Sequence, residues 1–251
     1  MISYKGIILV SVALFIASIP NSLHAERNVE LMLGADVVSR YVWRGIMIND
    51  APNVQPSITM SIGGFQLGLW GSSTLSKTNT TDDNYAFSHE VDLSAGYCHE
   101  LASGLAIGVV ATDYYFPNAG IKFGNFNDYD DENGAGAHTV EAGIIFTGPE
   151  VFPINVSAYM NVYNDEGHNS YFQIDYSTKL KDIDLDFIVG AAGGSDKNAD
   201  YYGTDEFDLI NLSLSAHKSI EFSDSFSLPF FVTYTANPKT EINYLLCGFS
   251  L

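Results

Sequence analysis

Taking every second residue from Asn28 to Arg44 separates this stretch of chain into two faces. Val29, Leu31, Leu33, Ala35, Val37, Tyr41 and Trp43 form an apolar row broken only by Ser39. Glu30, Gly34, Asp36, Arg40 and Arg44 fall on the other face, with Met32, Val38 and Val42 among them. A repeat of two is the mark of a strand with one apolar and one polar face. The stretch is longer than the roughly 3–10 residues of a common soluble strand. Tyr41 and Trp43 close its apolar row, as aromatics do where a membrane strand meets the water interface. The pattern predicts the first strand of an outer-membrane barrel, with Tyr41 and Trp43 as interface aromatics.

The alternation recurs down the chain. Gln55 to Ile62 places Ile58, Met60 and Ile62 on one face, and Gly63-Gly64 is a two-residue hairpin signal before Phe65, Leu67 and Leu69. Thr74 to Asn84 reads as loop, and Phe87 to Tyr97 as the fourth strand. Further strands are predicted at Leu105–Tyr115, His138–Thr147, Ile154–Tyr163, Tyr171–Lys179, Ile183–Ala192, Phe207–His217, Phe226–Thr235 and Glu241–Leu251. Together they make twelve, an even count, as bacterial single-chain barrels have. Short turns such as Leu180–Asp182 alternate with long polar loops such as Phe116–Ala137 and Gly193–Asp205. The fold class predicted is all-β, a transmembrane antiparallel up-and-down barrel. A soluble β-sandwich also has strands every 8–12 residues, but it explains neither the strand length nor the loop asymmetry.

Met1 to Ala25 stands outside this pattern. Lys5, the apolar run Gly6 to Ile19 and the small-residue end Ser22-Leu23-His24-Ala25 read as a secretory signal peptide, removed on export. The barrel then occupies residues 26–251. With 11 Lys and Arg against 30 Asp and Glu, the chain lacks the basic footprint of a nucleic-acid binder. Its acidity favours divalent cations and cationic solutes. No stretch after the leader is apolar for the ~18 residues of a spanning helix, so an exported, aromatic-rich chain crosses a bilayer only as a closed barrel. Cys98 and Cys247 lie in strands not expected to be neighbours and read as unpaired wall thiols.

Four ordered elements carry a resemblance to a known family: Ser39-Arg40-Tyr41-Val42-Trp43-Arg44-Gly45, Pro52-Asn53-Val54-Gln55, Gly68-Leu69-Trp70-Gly71-Ser72 and Glu90-Val91-Asp92-Leu93-Ser94-Ala95-Gly96-Tyr97. Over residues 35 to 97 the chain resembles the TorF family of outer-membrane porins, although Ser73 stands where that family often has Asn. The resemblance implies an outer-membrane address and a barrel architecture, and names no substrate. At the other end, Leu245, Cys247, Phe249 and Leu251 form an apolar row. Outer-membrane proteins usually end such a row in Phe or Trp. Engagement of the barrel-insertion machinery through this strand is implied, with Leu as the departure.

If the apolar rows meet lipid, the charged positions face inward, since a midplane Arg or Lys on the lipid side costs about 2–4 kcal/mol. The candidate pore-lining residues are Glu30, Asp36, Arg40, Arg44, Glu90, Asp92, Glu141, Asp175, Lys179, Asp184 and Asp186. They predict a passive porin for small solutes with an acidic, cation-favouring lumen. The alternative is a closed barrel with a structural or surface-binding role. A hydrolase sited at the barrel rim is a third reading: His168 sits at a polar tip, but no nucleophile motif accompanies it, so no enzyme is expected. Asn127 to Gly134 is an acidic loop whose spacing does not fit an EF-hand. It reads as a solvated surface against lipopolysaccharide. The remaining partner expected is outer-membrane lipid, and no cofactor is implied.

Overall fold

The structure is a computed structural model that describes residues 29–79, 85–129 and 132–251. The expected leader lies outside the described residues. In chain order the strands begin with β1 (Val29–Val38), β2 (Tyr41–Trp43), β3 (Ile46–Asn49), β4 (Asn53–Ile62), β5 (Phe65–Thr74), β6 (Thr78–Asn79) and β7 (Tyr85–Ala86). They continue with β8 (His89–Glu100), β9 (Ala106–Tyr115), β10 (His138–Thr147), β11 (Ile154–Tyr163) and β12 (Ser170–Leu180). The last four are β13 (Ile183–Gly193), β14 (Phe207–Ser223), β15 (Phe226–Asn237) and β16 (Ile242–Ser250).

Twelve of these close into one antiparallel barrel, each pairing with its sequence neighbour once β2, β3, β6 and β7 are set aside. Closure is made by β1 on β16, with Asp36 opposite Ser250, Val37 opposite Phe249 and Val38 opposite Gly248. Bonds from the Leu251 N–H to the Ala35 carbonyl (2.8 Å) and from the Ser39 N–H to the Cys247 carbonyl (2.8 Å) extend the seam. One end of the barrel carries tight turns such as Gly63-Gly64 and Lys181-Asp182, and the other carries the long loops.

The barrel inverts the usual soluble pattern, because the pleat sends alternate residues to opposite faces. Val29, Leu31 and Leu33 on β1 are 61%, 60% and 73% exposed. On β8, Leu93 is exposed whereas Glu90 and Asp92 are buried. Across four strands the register aligns Val156, Ile174, Val189 and Leu212 as one exposed apolar row. The buried set is rich in Gln55, Thr59, Ser61, Gln66, Ser157, Asn161, Gln173 and Ser215. A closed sheet leaves no open edges, so its outer face is free to be apolar throughout.

The first strand departs from the expectation. It does not run to Arg44 but ends at Val38, and the chain turns inward. The bend is fixed because the Ser39 hydroxyl accepts the Cys247 N–H at 3.0 Å, ending the wall ladder there. β2 and β3 then form a hairpin inside the barrel. Its two-residue turn is Arg44-Gly45, at φ +48° and +83°, the pairing of positive angles that a type I′ turn requires. Gly45 is obligatory on a second count, since a Cβ there would lie 1.9 Å from the Ile210 carbonyl oxygen. Tyr41 is therefore buried in the interior and Trp43 packs on the internal core. Neither sits on an outer interface, because they belong to the hairpin and not to the wall. Two smaller differences are β6, which lies within Thr74–Asn84 and pairs with β7 just after it, and the extension of β14 to Ser223, beyond the predicted His217.

Candidate functional site

The hairpin delivers Arg44 to the centre of the barrel. A non-glycine residue at positive φ costs roughly 1–2 kcal/mol, and the contacts of Arg44 offset it. Its Nη1 and Nη2 donate to Glu141 at 2.5 and 2.9 Å, and Nη1 also contacts the Tyr202 hydroxyl at 2.6 Å. The guanidinium carbon lies 4.5 Å from the ring centroids of Trp43, Tyr159 and Tyr171. The Tyr114 hydroxyl donates to Glu141 at 3.0 Å. Tyr202 stacks on Trp43 at 5.7 Å. The result is a buried bidentate ion pair with its lone pairs satisfied and its cation faced by aromatic rings. That completeness is what lets a buried charge persist.

Two β-bulges interrupt the wall register. One lies between Val140 and Glu141 against β11, and the other between Gly190 and Ala191 against β14. The second leaves Ile210 fully buried in the internal core beside Gly45. The Asn237 amide donates to the Gly45 carbonyl at 3.1 Å.

The loop between β13 and β14 folds in as well, bringing Tyr201 and Tyr202 over the lumen. It is held by Asp165 on the β11–β12 loop. This buried carboxylate accepts from Asn198 Nδ2 (2.7 Å), Asn161 Nδ2 (2.8 Å), the Asn169 N–H (2.8 Å) and the Gly167 N–H (3.1 Å). Burial pushes the Asp165 carboxyl up, but the hydrogen bonds from Asn198, Asn161 and Asn169 outweigh it and hold the group below its ordinary value. A depressed folded value stabilises the loop above the unfolded carboxyl's pKa of about 4, and the stabilisation is lost as pH falls through the folded value. Near-UV circular dichroism of the tyrosine cluster is expected to hold from pH 7 to about 4 and to step down below it. Asp165→Asn should abolish that step.

The other predicted lining residues are dispersed. Asp36, on the inner face of β1, and Arg40, in the bend, line a cavity of about 90 Å³ between the hairpin and the inner wall of β13 to β16. Trp70, Gln55, Ser213, Thr235 and Phe231 are among its other lining residues. Glu90 and Asp92 are buried on β8. Asp186 accepts from Ser177 at 2.6 Å and lies 3.0 Å from His217, and Asp175 accepts from Gln173 at 2.7 Å. Lys179 and Asp184 pair at 3.0 Å at the tight-turn end, both well exposed. Glu30 stands near that end of β1, opposite Ser61. Among the described residues, the predicted lining residues joined directly are Arg44 with Glu141 in the interior and Lys179 with Asp184 at the tight-turn end.

Cys98 is a buried and Cys247 an exposed free thiol. His168 bonds the Asn161 carbonyl through Nδ1 at 3.0 Å. In the acidic loop, Asp130 and Asp131 lie outside the described residues, and Asp128 accepts the Asn164 N–H at 2.8 Å. Sequence reasoning missed the aromatic cage. The available signal was tyrosine on the polar side of the alternation, as at Tyr159 between Ser157 and Asn161.

No curated protein matches the chain. A family described as a bacterial protein of unknown function, Gcw_chp, matches residues 23–236. That description carries neither the TorF name expected from the four motifs nor a porin activity. The match takes in β1 to β14 and nearly all of β15, so the chain belongs to the Gcw_chp family.

Proposed function

We propose that the protein is an outer-membrane barrel whose lumen is held closed by its own first hairpin and passes small, preferably cationic solutes when that hairpin withdraws. The observation that carries the membrane assignment is the inversion of the wall, with Leu33 73% exposed outside and Gln66 5% exposed inside. Water disfavours so continuous an apolar exterior, whereas a bilayer requires it. Aromatic pairs near the strand ends fit the same placement: Phe65 with Tyr97 (4.7 Å) at one end and Phe172 with Phe207 (5.8 Å) at the other. The leader supports export, and the outward Leu245, Cys247 and Phe249 row of β16 supports handling by the barrel-insertion machinery.

Channel function is supported by the nature of the obstruction. A barrel sealed only for structure is filled by side chains from its own wall, whereas here the centre is occupied by a separate hairpin, held to the wall by the Arg44–Glu141 ion pair, the Asn237–Gly45 hydrogen bond and ring packing. Asp36, Glu90, Asp92, Asp175 and Asp186 remain along the interior when it leaves, which favours cations. The second reading, a permanently closed barrel, is favoured by the completeness of the Arg44 contacts. Planar-bilayer recording of the refolded protein separates the two. Brief openings with a cation-selective reversal potential in a KCl gradient are expected. Anion selectivity would contradict the acidic lumen, and silence of both wild type and hairpin-releasing variants would leave the closed barrel.

A further inference from the structure

Glu90 and Asp92 are not used by the closure. They lie two residues apart on β8, so both side chains project from the inner face. Each is more than nine-tenths buried. Glu90 Oε2 and Asp92 Oδ1 have no hydrogen-bond partner. The buried Tyr41 ring of the hairpin packs 5.6 Å from Trp70, the residue opposite Asp92 in the register. The Arg44 guanidinium is committed to Glu141. Arg40 makes no ion pair among the described residues, and its Nε is itself without a partner. Glu141 and Asp113 add further negative field at Asp92. Two buried carboxylates with empty lone pairs are among the costliest arrangements a fold can hold, unless a positive charge joins them.

We infer that Glu90 and Asp92 form a binding site for a hard divalent cation in the barrel interior. The donor set is oxygen only: two carboxylates and water. Calcium and magnesium accept such a set, magnesium commonly through one or two carboxylates with retained waters. The two carboxylates are not part of a larger cluster of three or more His, Cys, Asp or Glu among the described residues, so retained water completes the shell; no imidazole or thiolate is part of the set, which disfavours zinc and copper. Because Tyr41 of the hairpin packs on Trp70, which stands opposite Asp92, an ion here sits where the hairpin meets the β5–β8 wall. The site stands whether or not the barrel conducts.

Terbium is the probe, since it replaces calcium at oxygen sites and emits when a nearby aromatic is excited. Trp70 sits directly opposite Asp92 in the register and 5.6 Å from the Tyr41 ring. The full chain, refolded in detergent and stripped with EDTA, is expected to show saturable sensitised emission that calcium displaces. Calcium alone should raise its melting temperature. Glu90→Gln with Asp92→Asn should lose both responses while keeping heat-modifiable gel mobility, and Asp175→Asn should keep both. If the double variant does not fold, Glu90→Gln alone carries the comparison. No emission from the wild type would overturn the site, as would emission unchanged in the variants. In that case protons, not a metal ion, neutralise the pair.

Discussion

Arg44→Ala is expected to turn a mostly closed barrel into one with sustained currents. The substitution removes both hydrogen bonds to Glu141, the contact with Tyr202 and the cation facing three rings. It leaves Glu141 buried with Tyr114 as its remaining donor. Removing one partner of a buried pair costs about 3–5 kcal/mol. Here the cost falls on the docked hairpin, because the wall ladders do not pass through Arg44. Release of the hairpin relieves it by letting water reach Glu141. Glu141→Gln should act in the same direction more weakly, since its amide oxygen still accepts from the guanidinium. The check is single-channel recording of each protein, with heat-modifiable mobility confirming an intact barrel. A variant that keeps its barrel and stays as silent as the wild type would show that the hairpin is not the closure.

The second large effect lies on the outer face. Ile174 is near the middle of β12, 50% exposed, between Val156 and Val189 in the register. Ile174→Arg is expected to destabilise the barrel by about 2–4 kcal/mol, the range for arginine at a bilayer midplane. Folding into lipid vesicles, followed by urea titration, reads this directly. Ile174→Phe should fold normally. Were this surface in water, the arginine would be a surface substitution worth within about 0.5 kcal/mol. A neutral Ile174→Arg would therefore refute the membrane placement.

How much of this was readable from the chain differs sharply between wall and interior. The wall strands obey a single rule, apolar out and polar in, so His138–Thr147 and Ile154–Tyr163 were placed to the residue. Turns with strong local chemistry, Gly63-Gly64 above all, were equally visible. The first hairpin was not. The alternation runs from Asp36 to Trp43 with only Ser39 out of its row, because both segments are strands, and periodicity does not report that the second leaves the wall. The local signal was Arg44-Gly45, a weak I′ turn beside the usual Asn-Gly. Arg44 is buried inside the barrel, on the side the alternation assigns it, but its partner was not identifiable, because Glu141 lies 97 residues away on the far wall. Tyr41 and Trp43 were misplaced for the same reason. An aromatic near a strand end satisfies an outer interface and an inner cage equally well until the bend at Ser39 is known.

The most direct test of the account uses the two native tryptophans. Trp43 packs against Tyr202 inside the barrel, and Trp70 lies beside Tyr41 on the inner face. In vesicles whose acyl chains carry bromine, a short-range quencher, the wild-type fluorescence is expected to match that in unbrominated lipid. Ile174→Trp, which places an indole on the outer row, should be strongly quenched under the same conditions. Native fluorescence quenched as deeply as that of the variant would put the tryptophans in lipid and contradict the inward hairpin. Quenching of neither protein would contradict the bilayer itself.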